Sequence, residues 1–330
     1  MSVEIDPKRP RILVALGGRS SEREVSISSG RQVAEALERL GYQTGIIDIG
    51  TGKLLQTPEL DTIEKNPAKL PNAVNFPLID ISRHFSLVFI AMHGRFGEDG
   101  GLQALLDEID MRYTGSGALS SALAMNKHFA KIILKSVGIT VLEHQIATDT
   151  EAKIQIEFPV VIKPNNQGSS VGVSICENEA EAKLGLKLAL EHSQEAMVEP
   201  YIKGKEITAA ILEDNSGKPQ ALPVTEIIPQ SKFFDYKAKY DGTTQEIVPA
   251  KIPDDLTKKV QDIGIKAHLA LGCRHFSRVD MIVDNTGKIY VWELNSIPGL
   301  TPESLFPRAA KAAGLDFDRL VDHLTQAALK

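Results

Sequence analysis

The sequence predicts an α/β protein of two or three domains that opens on a parallel sheet with helices on its faces. Three observations carry this. The 330 residues divide, at about 150 residues per domain, into two or three units. The first hundred residues alternate between short apolar runs and a helix-like period, as strand–helix–strand units do. Hydrophobic residues make up 42% and charged residues 24%, which excludes disorder, collagen-like repeats and a disulfide scaffold.

Residues 12–16 are an apolar run that ends at Gly17 and Gly18. Val33, Leu37 and Leu40 then fall at i, i+4 and i+7, one face of a helix that Gly41 can cap. Strands are expected at 44–49 and 86–92, with a Pro- and Asn-rich surface loop over 57–77. A second unit begins near 115–121, with a helix through 126–137, a strand over 158–163 and a helix through 179–193. A third carries strands at 206–212 and 279–294, a helix over 256–271 between them, and an amphipathic helix over 317–329.

The balance of 37 Lys+Arg against 43 Asp+Glu gives a net charge of −6, so no broad basic surface awaits nucleic acid or anionic lipid. The longest apolar runs, 87–92 and 207–212, fall far short of the ~18–20 residues a membrane span needs. Cys176 and Cys273 have no metal-ligand spacing and read as buried side chains in a reducing compartment. The opening segment has too short an apolar stretch for a signal peptide. The protein is therefore expected to be cytoplasmic.

Neither the P-loop pattern nor G-x-G-x-x-G is present, although Asp48 closes the second strand where a ribose-binding acid would sit. More informative is K-P-N-N-Q-G-S-S-V-G (163–172). Lys163 ends an apolar strand, and a loop of Gly168, Ser169, Ser170 and Gly172 offers amides and hydroxyls to phosphate oxygens. The alternative is a plain surface hairpin with an exposed lysine. The segment 277–295 reads as two strands with a turn at 284–287. If Val283 faces Lys288, then Arg278 faces Glu293 and Asp280 faces Val291. Arg278, Asp280, Glu293 and Asn295 share one face, and Met281, Val283, Tyr290, Trp292 and Leu294 form a core face. Asp280 and Glu293 are then diagonal neighbours, about 7–8 Å apart at the backbone, and suit Mg²⁺ shared with nucleotide phosphate. The competing reading is a salt-bridged solvent face in which Arg278 pairs both acids; beside a phosphate loop, the metal reading is preferred. H-G-R-F-G-E-D-G-G-L (93–102) follows a strand, which places His93 and Glu98 for substrate contact, and Glu22 follows the first strand in the same way. His128 and His268 read as structural.

In order and spacing, these stretches resemble the D-alanine–D-alanine ligase family of the ATP-grasp superfamily. The matching segments are 17–30 (G-G-R-S-S-E-R-E-V-S-I-S-S-G), 93–100 (H-G-R-F-G-E-D-G), 113–117 (Y-T-G-S-G), 125–127 (M-N-K), 163–172, 233–240 (F-F-D-Y-K-A-K-Y), 278–280 (R-V-D) and 293–305 (E-L-N-S-I-P-G-L-T-P-E-S-L). The resemblance covers nearly the whole chain. It implies a Rossmann-like parallel-sheet domain (1–115), a central ATP-grasp domain (116–204) and a C-terminal ATP-grasp domain (205–330), the last two being α+β units that clamp ATP. It implies that Lys127 and Lys163 hold ATP phosphates under the Ser169, Ser170, Val171 and Gly172 loop. Glu199, Tyr201 and Ile202 would meet the adenine, and Glu206 the ribose. Asp280, Glu293 and Asn295 would hold two Mg²⁺ or Mn²⁺ ions. Glu22 would take the ammonium of the first D-alanine, with Ser169 and Tyr240 linked to it and His93 close by. Arg278 and the backbone at Gly299 would face the oxyanion, and Lys239, Ser304 and Leu305 the second carboxylate.

The activity implied is ATP-dependent ligation of two D-alanines through a D-alanyl phosphate, for peptidoglycan precursors, by a cytoplasmic homodimer. The family often has methionine at Leu300, threonine at Ser296 and tyrosine at Phe234. Relatives that make an ester from a hydroxy acid tend to carry phenylalanine at Tyr240. A nucleotide sensor without chemistry should have lost Asp280, Glu293 or Arg278, and all three are present.

Overall fold

The computed structural model describes residues 9–71, 74, 76–228 and 245–330. The N-terminal sheet holds β1 (Arg11–Leu16), β2 (Gln43–Asp48), β3 (Lys53–Leu55) and β4 (Leu87–Ile90) in the order β3-β2-β1-β4. Strand β1 runs parallel to both β2 and β4, as the alternating pattern predicts, and β3 folds back antiparallel. Helix α1 (Arg23–Arg39) lies on this sheet and buries Ile27, Val33, Ala34 and Leu37. Gly30 is the point of closest approach, since a Cβ there would lie 2.5 Å from Leu16 Cβ. Gly41, at φ 80°, ends the helix, and Tyr42 N–H reaches back to Leu37 O at 3.0 Å. The expected surface loop over 57–77 instead winds into two short 3₁₀ turns (Thr57–Thr62 and Pro67–Lys69), and the first buries Leu60. Helix α2 (Leu78–His84) then leads into β4, and α3 (Gly101–Asp107) follows it.

A second sheet, wholly antiparallel, has the order β5-β8-β6-β7: β5 (Gln145–Ala147), β6 (Val160–Pro164), β7 (Ser174–Cys176) and β8 (Ala196–Pro200). Helix α6 (Glu179–Leu190) covers it through Ala182, Leu186 and Ala189 and stops three residues before the expected end. The third sheet contains β9 (Gly204–Glu213), β10 (Pro219–Ala221), β11 (Thr225–Ile228), β12 (Gln245–Ile247), β13 (Phe276–Asp284) and β14 (Ile289–Asn295). Its path is β12-β11-β9-β13-β14, with β10 beside β9. Helix α7 (Asp254–Ala270) packs on it.

Two helix pairs cross between these layers. Helices α4 (Ala118–Met125) and α5 (Lys127–Ser136) precede the second sheet in sequence, yet Ala124, Ala130 and Leu134 share the core of the third. After β14, α8 (Leu305–Ala312) and α9 (Phe317–Leu329) return to the N-terminal core, where Phe306, Leu320, Val321 and Leu324 pack with the residues of β1 and α1. Arg39 pairs with Asp318 at 2.7 Å, and Tyr42 donates to Asp322 at 2.6 Å. Both cysteines are buried and free, and His268 is a core residue bonded to Ser277 at 2.7 Å. Among the described residues no helix is long and apolar enough to cross a membrane.

The β13–β14 hairpin corrects the register expected from the sequence. Asp284 N–H bonds Lys288 O at 3.0 Å, so Val283 faces Ile289, not Lys288. A bulge at Trp292 adds a second one-residue shift, so Asp280 faces Glu293, not Val291, and Arg278 faces Asn295. Two slips cancel in parity, which is why Arg278, Asp280, Glu293 and Asn295 still share one face. Asp280 and Glu293 are therefore direct neighbours, not diagonal ones. The core places assigned to Tyr290 and Trp292 go to Ile289 and Val291, at 8% and 1% exposure. Tyr290 faces Ile282 on the other side, and Trp292 is turned towards a cavity.

Candidate active site

That cavity, of about 410 Å³, lies between the second and third sheets. Val161, Ile175, Ile202, Ile227, Ile282 and Trp292 give it an apolar end of the kind that accepts a flat ring. Lys127, Lys163, Ser170, Glu199, Tyr201, Glu206 and Glu293 line the same space. The cofactor residues named from the sequence thus converge, with three exceptions. Ser169, Val171 and Gly172 belong to the loop over the cavity, not to its lining.

Lys163 is not the exposed lysine of a hairpin. It is 3% exposed on β6, its Nζ 2.6 Å from Glu199 on β8 and 5.1 Å from the centre of the Trp292 ring. Glu199 also pairs with Lys131. Burial would raise the Glu199 pKa, but the charges of Lys131 and Lys163 outweigh it and hold the carboxyl at about 2. Lys127 Nζ contacts Glu293 at 2.9 Å and donates to Gln167 O at 2.6 Å. Burial of Glu293 is likewise outweighed by Lys127 and Lys163, so its pKa is lowered.

Beside this pair, Arg278 grips Asp280 through two parallel bonds, Nε to Oδ1 at 2.9 Å and Nη2 to Oδ2 at 2.8 Å. Burial would lower the Arg278 pKa, but the Asp280 carboxylate more than reverses that and keeps the guanidinium charged. Thr208 Oγ1 donates to Asp280 Oδ1 at 2.7 Å and Asn295 Nδ2 to Oδ2 at 3.0 Å. The salt bridge weighed against a metal site therefore exists, but of the two acids Arg278 takes only Asp280. Glu293 takes Lys127 instead.

The loop after β6 is docked against the N-terminal layer. Ser169 donates to Glu22 Oε1, and Gln167 Nε2 to Ser21 Oγ at 2.8 Å. Ser169 and Ser170 both adopt positive φ, 52° and 56°, beside Gly172 at 73°, a backbone that turns successive N–H groups to one side. Glu22 is buried at the start of α1. His93, also buried, has Nε2 3.0 Å from Ser29 Oγ, and burial lowers its pKa to about 4, so the ring is neutral. Glu98 accepts from Gly94 N–H at 2.6 Å; burial, then the nearby Glu22 charge, raises its pKa well above the usual carboxylate value.

At the far end of β14, Gly299 allows a close backbone approach, since a Cβ there would lie 2.8 Å from Ser304 Oγ. Ser304 stands just before α8 and bonds Thr301 Oγ1 at 2.8 Å, and Leu305 is the first helical residue. Lys239 and Tyr240, and with them the whole matching segment 233–240, lie outside the described residues. Asp48 does not wait for a ribose; it is paired with Arg23 at 2.8 Å. Sequence reasoning missed Lys131 and misplaced Trp292. Lys131 stands four residues after Lys127 on α5, the spacing that puts both on one helix face. No local signal marks the Trp292 bulge.

The D-ala D-ala ligase N-terminus model matches residues 11–116, and the D-ala D-ala ligase C-terminus model matches 133–326. The chain belongs to the D-alanine–D-alanine ligase family. The D-alanine–D-alanine ligase of Halalkalibacterium halodurans is 39% identical over 327 residues, covering 97% of this chain and 99% of the relative. That of Geotalea uraniireducens is 40% identical over 326 residues, covering 97% and 96%. Among solved structures, the Bacillus anthracis ligase complexed with ATP superposes with a TM-score of 0.78 at 32% identity, covering 97% of each chain. The VanG D-Ala:D-Ser ligase of Enterococcus faecalis superposes at 0.81 with 30% identity, covering 97% of this chain and all of that one. These ligases share the fold of this chain, with its mainly parallel N-terminal sheet and two antiparallel sheets around a cleft.

Proposed function

We propose that this ligase joins two D-alanines at the expense of ATP, through a D-alanyl phosphate, and supplies peptidoglycan precursors. The observation that carries the reading is the cavity between two sheets with Lys127, Lys163 and Glu293 at its polar end. A base would lie among Ile202, Ile282 and Trp292, with Tyr201 and Ile202 along its edge and Glu206 near the ribose. Phosphates would run towards Lys127 and Lys163 under the Ser169–Ser170–Val171–Gly172 turn.

Asp280, Glu293 and Asn295 offer hard oxygen donors from adjacent positions on one sheet face, and this donor set fits Mg²⁺ or Mn²⁺ completed by phosphate and water. Two such ions, when bound, would neutralise charge on the transferring phosphoryl group. Glu22 would hold the ammonium of the first D-alanine. With the Ser169 loop down, water is kept from the acyl phosphate. The amine of the second D-alanine then attacks the acyl carbon, negative charge builds on the carbonyl oxygen, and collapse of this adduct breaks the C–O bond to phosphate as the nitrogen gives up a proton. Arg278 and the Gly299 backbone face that charge. The neutral His93 ring lines the first subsite without adding a positive charge. Ser304, Leu305 and Lys239 would receive the second carboxylate, and Tyr240 would tie the closed loop through Ser169 to Glu22.

The division into 1–115, 116–204 and 205–330, a cytoplasmic location and a homodimer are part of the same reading. The direct test is ATP-dependent phosphate release against a panel of D- and L-amino acids and D-lactate, with product masses measured. Stimulation by D-alanine with a dipeptide product is the expected result, and release unaffected by any D-amino acid would refute it. Light scattering of the purified chain tests the dimer.

A further inference from the structure

Glu199 sits between two ammonium groups, Lys163 in front and Lys131 behind. The three side chains are at most 4% exposed. Only Lys163 and Glu199 line the cavity; Lys131 does not. A carboxylate needs one close cation to be tolerated in the interior, so the second requires an explanation. Lys163, at the polar end, is also the cation that stands over the Trp292 ring. To meet an incoming phosphate it must give up part of its bond to Glu199, and without another partner that acid would be left as a bare buried charge close to the polyphosphate.

We infer that Lys131 is a positioning residue for nucleotide binding: it is the standing counter-ion of Glu199 and so frees Lys163 to engage phosphate. The inference rests on the ATP reading of the cavity. The charges around Lys131 are Glu199 on β8, Lys163 on β6 and Glu293 on β14, and His144 lies beside it. The anion in contact with it is Glu199. Lys131 acts on the nucleotide only through that acid, which makes its effect separable from direct phosphate contact.

The test is a double-mutant cycle on the full chain, read by calorimetric titration with Mg²⁺ and the non-hydrolysable ATP analogue carrying a β,γ-imido bridge. Lys131→Met is expected to weaken binding about tenfold or more, and Lys131→Arg, which keeps the charge, to stay within about threefold of the unmodified chain. In the Glu199→Gln background the Lys131→Met change is expected to cost less than about twofold, because there is no carboxylate left to balance. In steady state Lys131→Met should raise the KM for ATP and leave that for D-alanine unchanged. Should Lys131→Met alone not fold, the comparison within the Glu199→Gln background still decides. A cost of tenfold there means Lys131 acts on phosphate directly and overturns the inference, as does a Lys131→Met protein that binds normally. An unmodified chain that does not bind the analogue refutes the ATP reading itself.

Discussion

Arg23–Asp48 and Lys163–Glu199 are both buried ion pairs, and they differ in what surrounds them. Arg23 spends its guanidinium on both Asp48 oxygens at 2.8 Å, on Glu64 O at 2.7 Å and on Gly18 O at 2.9 Å. Asp48 also accepts from Gly50 N–H and Thr51 Oγ1, both at 2.9 Å. That pair is closed on every side and fixes the first strand–helix turn to the second strand. Lys163–Glu199 and Lys127–Glu293 have equally short contacts but border a cavity of about 410 Å³. Buried charge alone does not mark a site. Buried charge beside empty volume does, because there the partners can be exchanged for a ligand.

The strongest way to break this distinction is Glu293→Gln. If Glu293 serves chemistry, the variant folds normally and turnover falls by roughly three decades or more at saturating Mg²⁺. Phosphate-release kinetics beside an unchanged thermal unfolding curve is the check, and retained turnover would return the hairpin to a mere salt bridge. Asp48→Asn should do the reverse. It leaves Arg23 buried with a weaker partner, and denaturant unfolding should show a loss of about 3 kcal/mol. Turnover per folded molecule should stay the same.

A pH series sharpens the comparison further. The Glu199 carboxyl titrates near 2 in the fold against 4.5 unperturbed. Its contribution to stability is therefore complete above about 4.5 and is lost as pH falls towards 2. His93, held near 4 against 6.5, must stay neutral in the fold, so stability also declines as pH falls from 6.5 towards 4. Urea midpoints across this range should fall in two stages, and Glu199→Gln should shrink the lower one, to which Asp214 and Glu293, also lowered, contribute the rest. The smallest effect expected is Tyr42→Phe, which deletes the bonds to Asp322 and Gln326, both 2.6 Å. It should cost about 1 kcal/mol by thermal unfolding, with no change in turnover.

Much of this contrast was legible in the sequence. The parallel opening sheet followed from alternating periods, and the terminal helix over 317–329 from its apolar stripe. The acids of β13 and β14 came out on one face because side-chain parity survives two compensating slips. What the sequence hid were features set by contacts far along the chain. The bulge at Trp292 is one; it presents two successive residues to the cavity, which no alternation rule anticipates. The fate of Asp48 is another, decided by Arg23 twenty-five residues earlier. Lys131 shares a helix face with Lys127, but that spacing carries no message until Glu199 is seen against it.

The return of α9 to the N-terminal core bears on how the chain is made. Leu320, Val321, Leu324 and Ala328 complete a core begun by residues 12–16, so the opening strand is finished by a helix that leaves the ribosome much later. At roughly 5–20 residues per second, the interval between them is tens of seconds. Through it the apolar flank that α9 will cover stays open, while the two later sheets can already form. Chains stalled after residue 316 should therefore be cleaved by protease in the first hundred residues, and chains released with α9 should resist. Equal resistance of both would mean that the opening sheet closes without its final helix.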